Sequence, residues 1–130
     1  MGTAMRTAML SIRDRLDRVG ILLSGLCALH CLASLLLVAG LGLGGQYLLA
    51  PEIHRIGLGL AIAVGSVTLA VGVNRHGDLV PLRTGAAGIG LMGIALLVGH
   101  GSLEAVLTIA GVVLLAFAHL RNLRSSPCAH

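Results

Sequence analysis

The sequence predicts an all-α membrane protein, an antiparallel bundle of four transmembrane helices with a short N-terminal interfacial helix. Composition is the first reason, since 56% of the 130 residues are hydrophobic and 11% are charged, whereas soluble domains have about 25% charged residues. The mean hydropathy is +0.97. Because a hydrocarbon core about 30 Å thick takes about 20 apolar residues per helix, residues 1–130 hold about four spans in a single domain.

Polar interruptions divide the chain into its predicted elements. The opening "MGTAMRTAMLSIRDRLDR" mixes charged and apolar residues at helical spacing, which is typical of a helix lying along the membrane interface. The glycine-rich "GLGLGGQY" closes the first span, and Pro51 suits the first turn of the second. The predicted spans are residues 19–43, 52–73, 84–98 and 103–120, followed by a cytoplasmic tail at 121–130.

Arginine placement predicts the topology. The chain has nine arginines and no lysine, and all of the arginines except Arg55 fall on one side of the four predicted spans. Under the positive-inside rule both termini face the cytoplasm. The basic balance therefore reflects a lipid bilayer as partner and not nucleic acid, while the formation of a homo-oligomer stays open.

The first span carries polar groups in "SGLCALHCLAS", residues 24 to 34. Cys27 and Cys31 are four residues apart, so on a helix they share one face with Cβ atoms about 5–6 Å apart, and His30 adjoins them. Thiolate and imidazole ligands favour soft or borderline ions such as Hg(II), Cu(I) and Zn(II). The stretch therefore predicts a soft-metal site. The alternative is that the cysteines pack as small hydrophobes and that His30 makes a structural hydrogen bond between helices.

Further candidate ligands lie at the ends of the later spans. Carboxylates and imidazoles at the outer ends are expected to converge into an outer metal site, because the helices of a compact bundle end close together. This outer set is Glu52, His54, His100 and Glu104. His76 and His119 form a second candidate site at the inner ends. The alternative for the two glutamates is that they stabilise helix N-termini.

Four stretches resemble the MerC-domain family of the MerC mercury-resistance proteins. They are "LDRVGILLSGLCALHC", "PEIHR", "GHGSLEAVLTIAG" and "AHLRNLR". The resemblance covers about residues 16 to 125, and "LCALHC" is its most specific part. Members are small four-span inner-membrane proteins, so the resemblance implies uptake of mercuric ion, with Cys27 and Cys31 passing the metal inward by ligand exchange. It implies a metal substrate, no firmly assigned cofactor and no enzymatic reaction.

Two other functions stay open from the residues alone. A membrane electron-transfer protein would use His54 with His100 and His76 with His119 as axial pairs for haem, although 2% aromatic residues leave little bulk for a haem pocket. A zinc-dependent membrane hydrolase would use the outer histidines and carboxylates around a metal-bound water. The chain has no HExxH signature, so the hydrolase ranks last.

Overall fold

The computed structural model describes residues 2–42, 50–99 and 101–125. The helices in these ranges are α1 (Gly2–Leu41), α2 (Pro51–His76), α3 (Val80–Val98) and α4 (Ser102–Arg124). Each of the four is long and apolar enough to cross a membrane, and the described ranges contain no strand. The predicted all-α fold with four membrane-spanning helices is confirmed.

The N-terminal amphipathic segment and the first span form one continuous helix. The predicted interfacial helix is present as the first turns of α1, without a break before the apolar part, because the sequence from 3 to 19 holds neither glycine nor proline to end a helix. The 40 residues of α1 reach about 60 Å at 1.5 Å per residue. The helix ends at Leu41, before Gly42 at φ 60°. The predicted end of the span at Leu43 lies outside the described residues.

The connection between α2 and α3 is short because two local hydrogen bonds close it. Gly77 takes a left-handed conformation, φ 70°, and donates its N–H to the carbonyl of Val73, which caps α2. The carboxylate of Asp78 accepts the N–H of Val80 at 3.0 Å. As a result α2 continues past residue 73 to His76, and α3 begins at Val80 rather than at 84.

Two glycines bring α3 and α4 into backbone contact. A Cβ atom added at Gly88 would lie 2.6 Å from the carbonyl oxygen of Gly111, and one added at Gly111 would lie 2.7 Å from the carbonyl oxygen of Gly88. Small residues at such a crossing let helices approach closely where lipid offers no hydrophobic driving force between them. Leu69, Leu115 and Ala118 form the buried apolar core beside this crossing.

Neighbouring helices run antiparallel, so the bundle has two distinct ends. We call the end where α2 and α4 begin the loop end. We call the end where α2 and α4 finish and α3 begins the terminal end. His54 of α2 lies within 3.8 Å of Glu104 of α4 at the loop end, and His76 of α2 contacts Asn122 of α4 at the terminal end.

Candidate metal site and the buried polar network

α1 turns a polar stripe into the bundle and an apolar face outward. Its buried positions recur at three- and four-residue spacing, as expected for one face of a helix, and they are Arg13, Asp17, Gly20, Ser24, Cys31 and Ser34. Cys27 lies on the same line and is half-buried. Leu22, Leu26 and Leu29 on the other face are more than half exposed. The polar and thiol side chains of α1 therefore face the interior of the bundle. Its leucines face outward, towards the region that lipid would occupy.

At the loop end a thiol, an imidazole and a carboxylate lie in line on three helices. The Sγ atom of Cys31 lies 3.5 Å from Nε2 of His54, and Nδ1 of His54 lies 3.8 Å from Oε1 of Glu104. Cys31 and Glu104 are each 5% exposed. Among the described residues, Nδ1 of His54 is a buried nitrogen with no hydrogen-bond partner. Glu104 is thus the carboxylate that this nitrogen faces, at 3.8 Å.

A cavity opens onto this group of side chains. Its volume is about 210 Å³, and Cys31, His54 and Glu104 line it together with Leu35 and Ser102. One water molecule needs about 10–15 Å³ by the same measure of volume, so this cavity is much larger than a single water requires. The ring of His30 lies edge-on to that of His54, with centroids 6.2 Å apart. A small polar solute therefore has space directly beside the thiol and the imidazole.

Cys27 lies one helical turn further from the loop end than Cys31 and opens onto a second cavity. Cys27 and Cys31, four residues apart on α1, place their thiols on one face of the helix. Cys27 also lines a cavity of about 50 Å³ that Ser24 of α1 and His119 of α4 share. The two cysteines thus lie between two cavities, Cys31 on the loop-end cavity and Cys27 on the deeper one.

The other residues predicted for the outer site are placed differently. Glu52 is exposed in the first turn of α2, and His100 lies outside the described residues. In the ranges 2–42, 50–99 and 101–125, no group of three or more His, Cys, Asp or Glu side chains has the arrangement that would hold a metal ion. What the structure offers there is pairs: two thiols, or a thiol and an imidazole.

The terminal end holds a buried network of which the sequence predicted only His76 and His119. His119 places Nδ1 2.7 Å from Oδ1 of Asp17, and Nδ2 of Asn122 donates to Oδ2 of the same carboxylate at 2.8 Å. Nε2 of His76 lies 2.9 Å from Oδ1 of Asn122. Asp17, His119 and Asn122 are at most 1% exposed. Nε of Arg13 lies 4.0 Å from Asp17 and supplies a nearby positive charge.

The hydrogen bonds fix the direction of this network. The backbone N–H of Asp78 donates to Nδ1 of His76 at 3.0 Å, so Nδ1 is unprotonated and Nε2 carries the proton. Nε2 of His76 therefore donates to the oxygen of Asn122, and the Asn122 amide must turn its NH₂ group towards Asp17. Both oxygens of Asp17 accept hydrogen bonds, the second of them from His119. The carboxylate is held as an acceptor on α1 for donors on α4.

Asp17 and Asn122 were absent from the predicted sites. They are 105 residues apart in the chain, and no local spacing rule connects residues so distant. A signal was nevertheless present: Gly20 and Gly72 provide the space for the polar side chains, since a Cβ atom at Gly20 would overlap the ring of His119, and one at Gly72 would overlap the amide of Asn122. Glycine opposite a polar residue in a membrane helix favours an interhelical hydrogen bond.

A comparison with known protein families matched residues 17–124 to the family described as "MerC mercury resistance protein". The matched range holds both intramembrane thiols, His54, Glu104 and the network around Asp17. Comparisons with curated proteins and with solved structures gave no match. The match spans most of the chain and agrees with the four spanning helices and with the thiol pair in the first of them, and so the chain belongs to the MerC mercury-resistance family.

Proposed function

We propose that this protein carries mercuric ion, Hg(II), across the bacterial inner membrane towards the cytoplasm by exchange between thiol ligands. The family's description as mercury-resistance proteins supports the choice of ion. The observation that carries the proposal is the contact of 3.5 Å between Cys31 Sγ and His54 Nε2 at the edge of the loop-end cavity. The metal is the substrate, and the protein catalyses no further reaction on it.

Proton transfer accompanies each step of metal capture. An ion that arrives with two ligands displaces one thiol proton for each Hg–S bond that forms, and each new bond releases one incoming ligand. His54 Nε2 accepts the proton of Cys31, and Glu104, 3.8 Å from the other ring nitrogen, stabilises the imidazolium that results. The imidazolium then returns its proton to water in the cavity. A thiol thus becomes a thiolate at the moment when a cation is present to neutralise it.

The charge balance explains why two cysteines are suited to this depth. Burying an isolated thiolate or a divalent cation in hydrocarbon is very costly. An ion with two thiolates is neutral, and both charges disappear together when Cys27 and Cys31 bind it. Because the two thiols are i, i+4 neighbours on α1, small rotamer changes bring both sulfur atoms to one ion. The same thiolate and imidazole donors also suit Zn(II) and Cu(I).

The arrangement of ligands in pairs supports a carrier over a resident metal centre. Transport requires binding favourable enough to capture the ion and weak enough to release it. A closed site with four protein ligands would hold the metal as a structural ion. The pairs of the described residues, Cys31 with Cys27 and Cys31 with His54, leave ligand positions on the metal through which the next donor can enter.

The charge distribution supports the direction of uptake. Arginines of the terminal end belong to the start of α1, the end of α2, the start of α3 and the end of α4, whereas Arg55 stands at the loop end. The positive-inside rule then directs the loop end towards the periplasm and both termini towards the cytoplasm. On this orientation the larger cavity, at Cys31, faces the side from which the metal arrives.

Uptake of radioactive Hg(II) by cells expressing the protein tests the proposal. The parent should accumulate metal above cells without the protein, and a Cys27→Ser, Cys31→Ser double variant should fall to that background. Cys128→Ser is the matched control, a thiol substitution outside the four helices, and should retain most of the uptake. Equal membrane levels are checked by immunoblot. Uptake by the double variant at the parent's rate would reduce the two thiols to packing residues and refute the proposal.

A further inference from the structure

We propose that His119 is a further ligand for the metal ion, lying one step from Cys27 towards the terminal end, and that Asp17 is the residue that positions its imidazole. This inference deepens the proposed function and rests on it. It assigns a soft-metal donor to the deeper cavity and a role to the buried carboxylate of α1. The transfer exchanges a thiolate for a neutral imidazole on the same ion.

The imidazole of His119 is held between α4 and α1 with its two nitrogens in different surroundings. Nδ1 lies 2.7 Å from Asp17 Oδ1. Gly20 packs against the ring, where an added Cβ atom would overlap Nε2, Cδ2 and Cε1. His119 is 1% exposed to the outside, yet it lines the cavity of about 50 Å³ that Cys27 also lines. The absence of a side chain at Gly20 therefore gives the ring of His119 the room to lie beside this cavity.

Asp17 determines which nitrogen is available to a metal. Its two oxygens accept hydrogen bonds from His119 and Asn122, so the proton of the neutral imidazole is held on Nδ1 and the lone pair is on Nε2. Metal-binding histidines almost always donate their other N–H to a carboxylate, a carbonyl or a water, which fixes the tautomer and raises the basicity of the ligating nitrogen. The Asp17–His119 pair has the same arrangement before any metal arrives.

Cys27 and the turn of α1 against which His119 lies are about two helical turns apart along the same cavity. Gly20, against which the ring lies, precedes Cys27 by seven residues, a rise of about 10 Å along α1 at 1.5 Å per residue. Helical side chains lean towards the N-terminus, so the Cys27 thiol leans from its own turn towards the cavity and towards His119. Ser24 lies on the turn between them and lines the same cavity. The volume of this cavity, about 50 Å³, is larger than the volume of about 10–15 Å³ that a water-sized occupant needs.

A purely structural network would have different properties. It would hold α1 to α4 through Asp17 and would need no cavity shared between the ring and a thiol. The two roles are separable by experiment because the Cys31→Ser variant removes the competing thiol and leaves Cys27 and His119 untouched. On the proposal, Hg(II) held by the Cys27 sulfur in this variant also reaches the imidazole nitrogen of His119.

Nitrogen NMR of ¹⁵N-histidine-labelled protein in lipid nanodiscs tests the assignment. Before metal, the parent should show His119 as the Nδ1–H tautomer, and Asp17→Asn should mix the two tautomers. With one equivalent of Hg(II), the Nε2 resonance of His119, assigned through the backbone of α4, should shift strongly in Cys31→Ser. In this background His119→Gln should weaken Hg(II) binding by about tenfold or more, as loss of a ligand or of its support does elsewhere.

The controls separate the role of a ligand from that of a structural residue. His76→Gln keeps a donor for Asn122 and should therefore leave the affinity for Hg(II) within about threefold of the parent's. A tenfold change would correspond to about 1.4 kcal/mol. The NMR shift is read on protein that retains His119, so the test stands even where His119→Gln folds poorly. An unmoved Nε2 resonance in metal-loaded Cys31→Ser would overturn the assignment of His119 alone. Parent protein that binds no Hg(II) through its thiols would overturn the proposed function as well.

Discussion

The thiol of Cys31 lies 3.5 Å from the imidazole nitrogen Nε2 of His54, a contact between α1 and the start of α2. The opposite ring nitrogen lies 3.8 Å from Glu104 on α4. A proton that leaves the sulfur therefore has an acceptor within contact distance, and the acceptor has a carboxylate behind it. In the proposed function, these contacts couple the ionisation of the Cys31 thiol to the arrival of a cation.

Replacement of His54 by alanine should slow metal capture. Without Nε2 the Cys31 proton must leave directly to water in the cavity, so we expect the second-order rate of Hg(II) binding to fall by about 10- to 100-fold, the range for groups that support a ligand. Stopped-flow absorbance of the mercury–thiolate band measures this rate.

Glu52→Gln is the matched control for that measurement, since Glu52 is exposed near the start of the same helix, and it should bind at the parent's rate. Glu104→Gln should slow capture less than His54→Ala does. The double variant should be no slower than His54→Ala, because the carboxylate acts through the imidazole. Additive losses would show that His54 and Glu104 act independently.

The fold was predictable because membrane helices depend on hydropathy, which is a local property. Runs of apolar residues located all four helices, and Pro51 correctly predicted the start of α2. The boundaries depended on hydrogen bonds that composition does not encode. The αL cap at Gly77 and the Asp78 acceptor for the Val80 N–H extend both neighbouring helices. Likewise, charged residues before Val19 suggested an interface helix, whereas the backbone simply continues because nothing in it ends a helix.

The candidate site was predictable where helical spacing or the convergence of helix ends applied. The i, i+4 relation gave the Cys27–Cys31 pair. The convergence of α2 and α4 at one end of a bundle gave the proximity of His54 to Glu104. Asp17 looked like one of several charges in "RDRLDR", and its burial depends on His119 and Asn122, more than 100 residues away. Long-range pairing of this kind is decided by packing around Gly20 and Gly72.

The contact between Gly88 and Gly111 should be sensitive to any side chain. Gly88→Val would place carbon atoms against the backbone of α4, 2.6 Å from a carbonyl oxygen at the first added atom. Overpacking typically costs about 1–3 kcal/mol, and we expect a loss of at least this size because backbone cannot rotate away. Reversible unfolding in mixed detergent micelles measures it.

Gly90→Ala, two residues further along α3, controls for helix propensity. A Cβ atom at Gly90 meets nothing within 4 Å, and alanine favours helix over glycine by about 1 kcal/mol. This variant should be as stable as the parent or slightly more stable. Equal stability of Gly88→Val and Gly90→Ala would contradict the close crossing of α3 and α4.

The α2–α3 connection should weaken on acidification. The Val80 N–H, and then Arg121 with its Nε 3.1 Å away, hold the pKa of the Asp78 carboxyl below its usual range. Since the folded pKa lies below the unfolded value of about 3.9, the stabilisation is fully present above that value and is lost as the pH falls through the folded pKa. Amide protection factors at Val80 and Arg83 should therefore hold between pH 7 and about 4 and decline below.

Asp78→Asn provides the comparison for the pH series. The variant cannot ionise at this position, so its protection factors should be lower than the parent's near neutrality and independent of pH across the acidic range. A decline of the same shape in parent and variant would assign the acid sensitivity to another group.

Both termini should be cytoplasmic. A green fluorescent protein fused after residue 130 should be fluorescent, because it folds in the cytoplasm, and alkaline phosphatase inserted after Gln46 should be active, because it needs the oxidising periplasm. The physical reason is the excess of arginine at the terminal end. An active phosphatase at the C-terminus with an inactive one after Gln46 would reverse the orientation and turn the larger cavity towards the cytoplasm.

The two cysteines should fail at different steps when replaced singly. Cys31 lines the cavity of about 210 Å³ next to His54, whereas Cys27 lines the cavity of about 50 Å³ towards His119. Cys31→Ser should therefore slow the first binding of Hg(II) from outside by about tenfold or more, the lower end of the range for groups that support a ligand. Cys27→Ser should bind at nearly the parent's rate and then retain the metal.

Proteoliposomes with a dithiol trapped inside separate the two steps, since protein-bound mercury is read by its thiolate absorbance and delivered mercury by the trapped dithiol. Delivery should be lost in both variants, but bound metal should accumulate only in Cys27→Ser. Identical binding and delivery kinetics in the two single variants would mean that the thiols act as one site without order, and the sequence of transfer from Cys31 to Cys27 would be wrong.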